Sequence, residues 1–224
     1  MNKASVRLTG ALTIVGLLGA GCGMATSQYG SMPGSPSAMA TSNTKAAELR
    51  TGLNALLGEH LLLAASATGA ALAGREAQFK AIAASVDANS VDISKAIGSV
   101  YGAGAQDAFL ALWRKHIGFA VDYTTGVAAK DKAKQDKAVN DLVQYTQDFG
   151  AFLSSANPNL PKTVVADLVK SHVLTLKDVI DAQAARDWQK VYPALRAAAA
   201  HMQMIADPLA DAIAKQFPAK FAAR

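Results

Sequence analysis

The sequence predicts an all-α fold, an antiparallel helical bundle, over residues 44–224. Three observations carry this reading. Ala, Leu, Lys, Gln and Asp dominate after Thr44; apolar residues recur at steps of three and four over long segments; and the breaks between segments are short and built from Gly, Asn and Pro, with no alternating β-branched run. Four to five long helices joined by short connector helices account for the chain.

The first helix is expected over 44–73, with Ser42, Asn43 or Thr44 as N-cap and Gly74 as its stop. Leu49, Leu53, Leu56, Leu63, Ala67 and Ala70 form its apolar stripe, and His60 fills the one gap in that series. The next stretch is less regular and reads as two short connectors, 75–85 and 90–101, the second closed by Gly102. A long helix over 105–128 carries Phe109, Leu112 or Trp113, His116, Phe119 and Tyr123 on one face.

The helix expected over 131–155 turns Val139, Leu142, Thr146, Phe149 and Leu153 inward and holds no histidine; its charged start, Lys130 to Lys137, reads as a solvated face. Asn157-Pro158-Asn159-Leu160-Pro161 is the strongest break in the body. The helix after it, 161–184, has Val165, Leu168, His172, Leu176 and Val179 on one stripe. The last, 187–216, has Val191, Leu195, Ala198, Ile205, Leu209 and Ile213, with His201 beside them. Pro193 and Pro208 predict a break near Tyr192 and a kink near Asp207, because proline removes a backbone donor and crowds the preceding turn.

The first residues carry Lys3 and Arg7 and lead into the apolar run 11–20, the layout of a secretory signal peptide. The run is too short to cross a membrane as an ordinary helix. It ends in Leu-Leu-Gly-Ala-Gly-Cys, which resembles a bacterial lipoprotein signal with Cys22 as the lipidated residue; ordinary cleavage leaving a free thiol is the alternative. Residues 1–22 therefore read as a signal peptide with a lipobox-like end. Residues 23–43, rich in Ser, Gly, Pro and Ala, read as a flexible tether. This places the protein outside the cytoplasm, in the periplasm or at the cell surface, with the membrane as partner through Cys22. The net charge of +5 shows no basic cluster with interleaved aromatics, which argues against nucleic acid.

Short matches suggest an internal two-fold repeat. Gly58-Glu59-His60 pairs with Lys170-Ser171-His172, and Ala73-Gly74-Arg75-Glu76 with Ala184-Ala185-Arg186-Asp187. In that register His116 pairs with His201, and residues around 83–108 are an insertion in the first half.

Only four histidines exist, and each lies close to the middle of its expected helix. Helices packed antiparallel share their central layer, so His60, His116, His172 and His201 are candidates for one site. Clustered imidazoles in a bundle core bind a transition metal, or ligate haem iron in pairs. Residues three before each histidine are Leu57, Trp113, Val169 and Ala198, so the Glu-x-x-His of di-iron bundles is missing. Imidazole with thioether suits copper, and Met204, one turn from His201, is a candidate ligand. Haem is the runner-up; with no Cys-x-x-Cys-His it would be non-covalent, walled by Trp113, Phe119 and Tyr123. The contrary reading is that the histidines are buried structural residues of an envelope protein whose outer faces meet a partner. No nucleophile elbow, phosphate loop or dinucleotide fingerprint is present, so no enzyme activity is expected.

Leu56-Leu57-Gly58-Glu59-His60, Ser99-Val100-Tyr101-Gly102, His116-Ile117-Gly118-Phe119, Phe152-Leu153-Ser154-Ser155-Ala156-Asn157-Pro158 and His201-Met202-Gln203-Met204 resemble segments of a group of exported bacterial helical-bundle proteins, often predicted lipoproteins. The likeness spans most of 46–218. It implies an all-α fold and weight on the histidine segments, but no substrate.

Overall fold

The computed structural model describes residues 44–222. The expected signal segment, Cys22 and the tether lie outside the described residues. Six long helices follow one another: α1 Lys45–Leu72, α2 Glu76–Tyr101, α3 Ala103–Ala128, α4 Lys132–Ala156, α5 Lys162–Ala184 and α6 Trp188–Gln216; a final turn, α7, spans Pro218–Phe221. No strand occurs among the described residues.

The helices pair as three hairpins, α1 with α2, α3 with α4, and α5 with α6. Each second helix also packs on the first helix of the next hairpin, and α6 returns to α1, so the ring closes. Helices α1, α3 and α5 touch one another as well, which makes them an inner trio with α2, α4 and α6 in the outer crevices. Helix α1 is long and apolar enough by composition to cross a membrane. Its place in the inner trio accounts for that apolarity.

The three hairpins are copies with a period of 56 residues. His60, His116 and His172 stand at this spacing on the three inner helices. The same step relates Leu53, Phe109 and Val165; Leu57, Trp113 and Val169; Val86, Leu142 and Ala198; and Ile97, Leu153 and Leu209, every one of them buried. Burying a large aliphatic or aromatic side chain contributes about 1.5–3 kcal/mol, so each layer of three is a substantial fraction of a bundle's stability. The repeat unit is thus a third of the body, and the stretch around 83–108 belongs to the first copy rather than interrupting it.

The tight turns repeat too. After α1, α3 and α5 the chain passes through a left-handed residue, Gly74 (φ 68°), Lys130 (φ 55°) and Arg186 (φ 54°). In each turn two backbone bonds return to the helix end, as from Lys130 N to the Val127 carbonyl and from Asp131 N to the Gly126 carbonyl. This is the paired bonding of a Schellman close. The hairpin copies therefore align Gly74 with Arg186, one residue away from the sequence match that set Arg75 against Arg186.

Helix α2 runs unbroken where the sequence suggests two connectors. Its short polar residues, which favour turns when they face water, find donor partners inside the bundle: the Ser90 hydroxyl donates to the Val86 carbonyl at 2.6 Å, and the Asn89 amide nitrogen donates to the Leu56 carbonyl at 3.0 Å and the Glu59 carboxylate at 2.9 Å. Helix α6 likewise continues through Pro193 and Pro208. Both prolines are exposed, as are Gln189 and Met204 four residues earlier, whose carbonyls lose a helical donor.

Candidate metal centre

One residue from each inner helix points at the shared centre. His60 on α1, His116 on α3 and His172 on α5 are buried to 2%, 5% and 5% relative exposure. One ring nitrogen from each lies within 4.8 Å of the other two. The Nε2 atoms of His60 and His116 are 3.4 Å apart. An ion bound at about 2.0 Å by three nitrogens holds them about 3.5 Å from one another in trigonal geometry. The first pair already has that separation, and the third imidazole is within a small side-chain adjustment of it.

The electrostatics keep these nitrogens free to coordinate. Burial lowers the His60 pKa to about 3, with His172 adding to the effect, and lowers that of His172 to about 4, with His201 adding. His116 is held well below the ordinary range, first by burial and then by His60 and His172, with only the Trp113 backbone opposing. All three rings are neutral at pH 7, and neutral imidazole is the ligating form. The Nδ1 atoms of all three are buried without a hydrogen-bond partner. No carboxylate joins the group, and among the described residues it is the one cluster of candidate ligands of this kind.

Aromatic rings brace the cluster. Trp113 meets His60 at 5.0 Å and His116 edge-on at 4.5 Å between ring centroids, and Tyr145 stacks on His116 at 5.1 Å. Burial pushes the Tyr145 hydroxyl well above its usual pKa, so it stays protonated. Trp113 Nε1 is also buried without a partner. No family model, no curated protein and no solved structure matches this chain.

His201 does not join the trio. It sits on the outer helix α6, where its Nε2 meets the Leu168 carbonyl of α5 at 2.9 Å. Two periods earlier Asn89 donates to the Leu56 carbonyl in the same way, so His201 occupies a repeated tie between the two helices of a hairpin. Tyr145 fills the equivalent position in the middle copy and stacks on His116 instead. Met204 shares His201's side of α6, one turn on, but that side meets α5 at the Leu168 carbonyl rather than the centre, and Met204 is left 56% exposed at its edge. The buried neighbour is Met202, which lines a small cavity with His116 and His172. Of the residues suggested as a haem wall, Trp113 packs on the histidines, Tyr123 donates to Asp181 at 2.6 Å, and Phe119 is only partly buried.

Proposed function

We propose that this chain is a lipid-anchored, extracytoplasmic bundle that binds one copper ion, in the cuprous state, through His60, His116 and His172. The observation that carries the reading is the convergence of three buried neutral imidazoles with no anion among them. The cost of burying charge rises with its square, so a divalent ion in an uncharged site costs about four times a monovalent one. Imidazole suits copper, and a monovalent ion leaves the core with a single positive charge. The role is binding or storage rather than catalysis. Export and anchoring rest on the apolar start of the chain and on Cys22.

The third imidazole counts against haem iron held between two of these histidines. A macrocycle needs the plane between its axial ligands free, and here another ring stands within 4.8 Å of both. A partner-binding role has its own support in Leu62, Trp188 and Tyr192, each more than half exposed around a groove at the Arg186 end of the bundle.

The test is competition for cuprous ion against a chromogenic chelator under reducing conditions, beside zinc and cupric titrations. One tight cuprous ion per chain, with weaker zinc, supports the reading. Equal or tighter zinc sinks the cuprous assignment, and no metal at all favours histidines that are purely structural.

A further inference from the structure

The three copies are not equally filled. Between α1, α2 and α3 a cavity of about 440 Å³ runs from the surface down to His60 and His116. The equivalent space one period on, between α3, α4 and α5 and ending on His116 and His172, holds only about 30 Å³. Three alanines set the first space apart from the second; in the third copy Gln183 and Leu195 line a surface groove of about 820 Å³ whose lining includes no histidine. Ala67, Ala71 and Ala83 line the first space; their counterparts are Tyr123, Val127 and Val139 in the second copy and Val179, Gln183 and Leu195 in the third.

Protein interiors are close-packed, and an apolar cavity of this size with a few convergent polar groups has the dimensions of a ligand site. Its mouth carries the paired Arg114 and Asp87, joined by two bonds of 2.7 and 2.9 Å, so no free charge on that pair attracts an ion. The walls are mostly apolar; the Thr68, Thr124 and Thr125 hydroxyls that also line them donate to carbonyls of their own helices, and the imidazoles at the inner end are the polar groups there that carry a free lone pair in their neutral form.

We infer that the cavity between α1, α2 and α3 receives a compact, neutral, mostly apolar molecule bearing one lone-pair donor atom, which completes the coordination of an ion held by His60, His116 and His172. This rests on the metal reading above. The added bond is a donor bond from the ligand's lone pair to the ion, with no electron transferred and no group leaving. A cavity of about 150 Å³ already admits benzene, so a one-ring molecule fits with room to enter.

Phenyl isocyanide is the probe, with copper content measured first. In the full chain loaded with cuprous ion, one isocyanide per copper is expected, with a shifted isocyanide stretch in the infrared. The variant A67V/A83L installs the residues that the third copy carries at these positions; it should keep its copper and lose isocyanide affinity at least ten-fold. Retained copper with unchanged isocyanide affinity overturns the proposal. Should the double variant fail to fold, Ala71→Val replaces it with the same two outcomes. Toluene added to the metal-free protein separates the cavity from the metal: shifts of the Ala67 and Ala83 methyl resonances uphold the cavity as a ligand site even where copper does not bind, and unmoved resonances overturn it.

Discussion

His60 and His116 face one another through their Nε2 atoms at 3.4 Å, from helices related by one 56-residue period. Each is a third of a site that no single hairpin contains. Replacing any one of His60, His116 or His172 by alanine should abolish tight cuprous binding, read by chelator competition. His201→Asn, which installs the residue of the first copy at that position, should leave the stoichiometry unchanged. Loss of copper in His201→Asn alone would show that the outer helix supplies a ligand.

Stability without metal should depend on pH in a direction fixed by the same residues. The folded-state pKa values of His60 and His172 are lowered to about 3 and about 4, whereas the unfolded chain takes up protons near 6.5. Between those limits the unfolded state binds more protons, so stability is complete above about pH 6.5 and falls as the pH drops toward 4. Each pKa unit is worth about 1.4 kcal/mol, which makes the loss several kcal/mol. Urea midpoints at pH 7.5, 6, 5 and 4 measure it, and a flat profile contradicts the burial of neutral rings.

Two of the three Schellman turns place a side chain where glycine is the natural occupant. Lys130 and Arg186 both hold positive φ, a conformation costing L-residues about 1–2 kcal/mol. Lys130→Gly and Arg186→Gly should each stabilise the protein by about 1 kcal/mol, seen as a raised thermal midpoint. Gly74→Ala should do the reverse.

Helices α4 and α5 approach closely at Gly150, where an added Cβ would stand 2.5 Å from the Lys162 carbonyl and 3.2 Å from the Ala166 Cβ. Backbone cannot yield as a flexible side chain can. Gly150→Ala should therefore destabilise by about 1–3 kcal/mol, whereas Gly118→Ala, with nothing in the way, should be neutral or slightly stabilising. Chemical denaturation of the two variants side by side decides it.

The all-α class and most helix limits were legible in the residues, because apolar periodicity and capping act locally. The placing of His60, His116 and His172 in one layer was legible as well, since each lies near the middle of its helix. His201 passes the same test for a different reason: position along an axis says nothing about whether a helix is inner or outer. The number that separates them is in the chain, 56 from His60 to His116 and 56 again to His172. Pairing His60 with His172 spans two periods, which imitates a duplication and turns the first outer helix into an insertion. Asn89, Tyr145 and His201 share a position while differing in kind, so residue identity hides the repeat that burial displays. The cavity could not be foreseen, since Ala67, Ala71 and Ala83 are unremarkable in an alanine-rich sequence until their bulkier counterparts are set beside them.

Closure of the ring makes the order of the hairpins arbitrary. Arg50 near the start of α1 pairs with Asp211, and Asn54 donates to Asp207, near the end of α6. At that seam α6 packs on α1 as α2 packs on α3 and α4 on α5. A circular permutant of residues 44–222, linked across that seam and opened at the exposed Lys130 turn, should fold to the same ring with its three imidazoles together, as expected when new ends fall in a surface turn. What the body requires is three hairpins in cyclic succession; which of them is translated first is immaterial to the site.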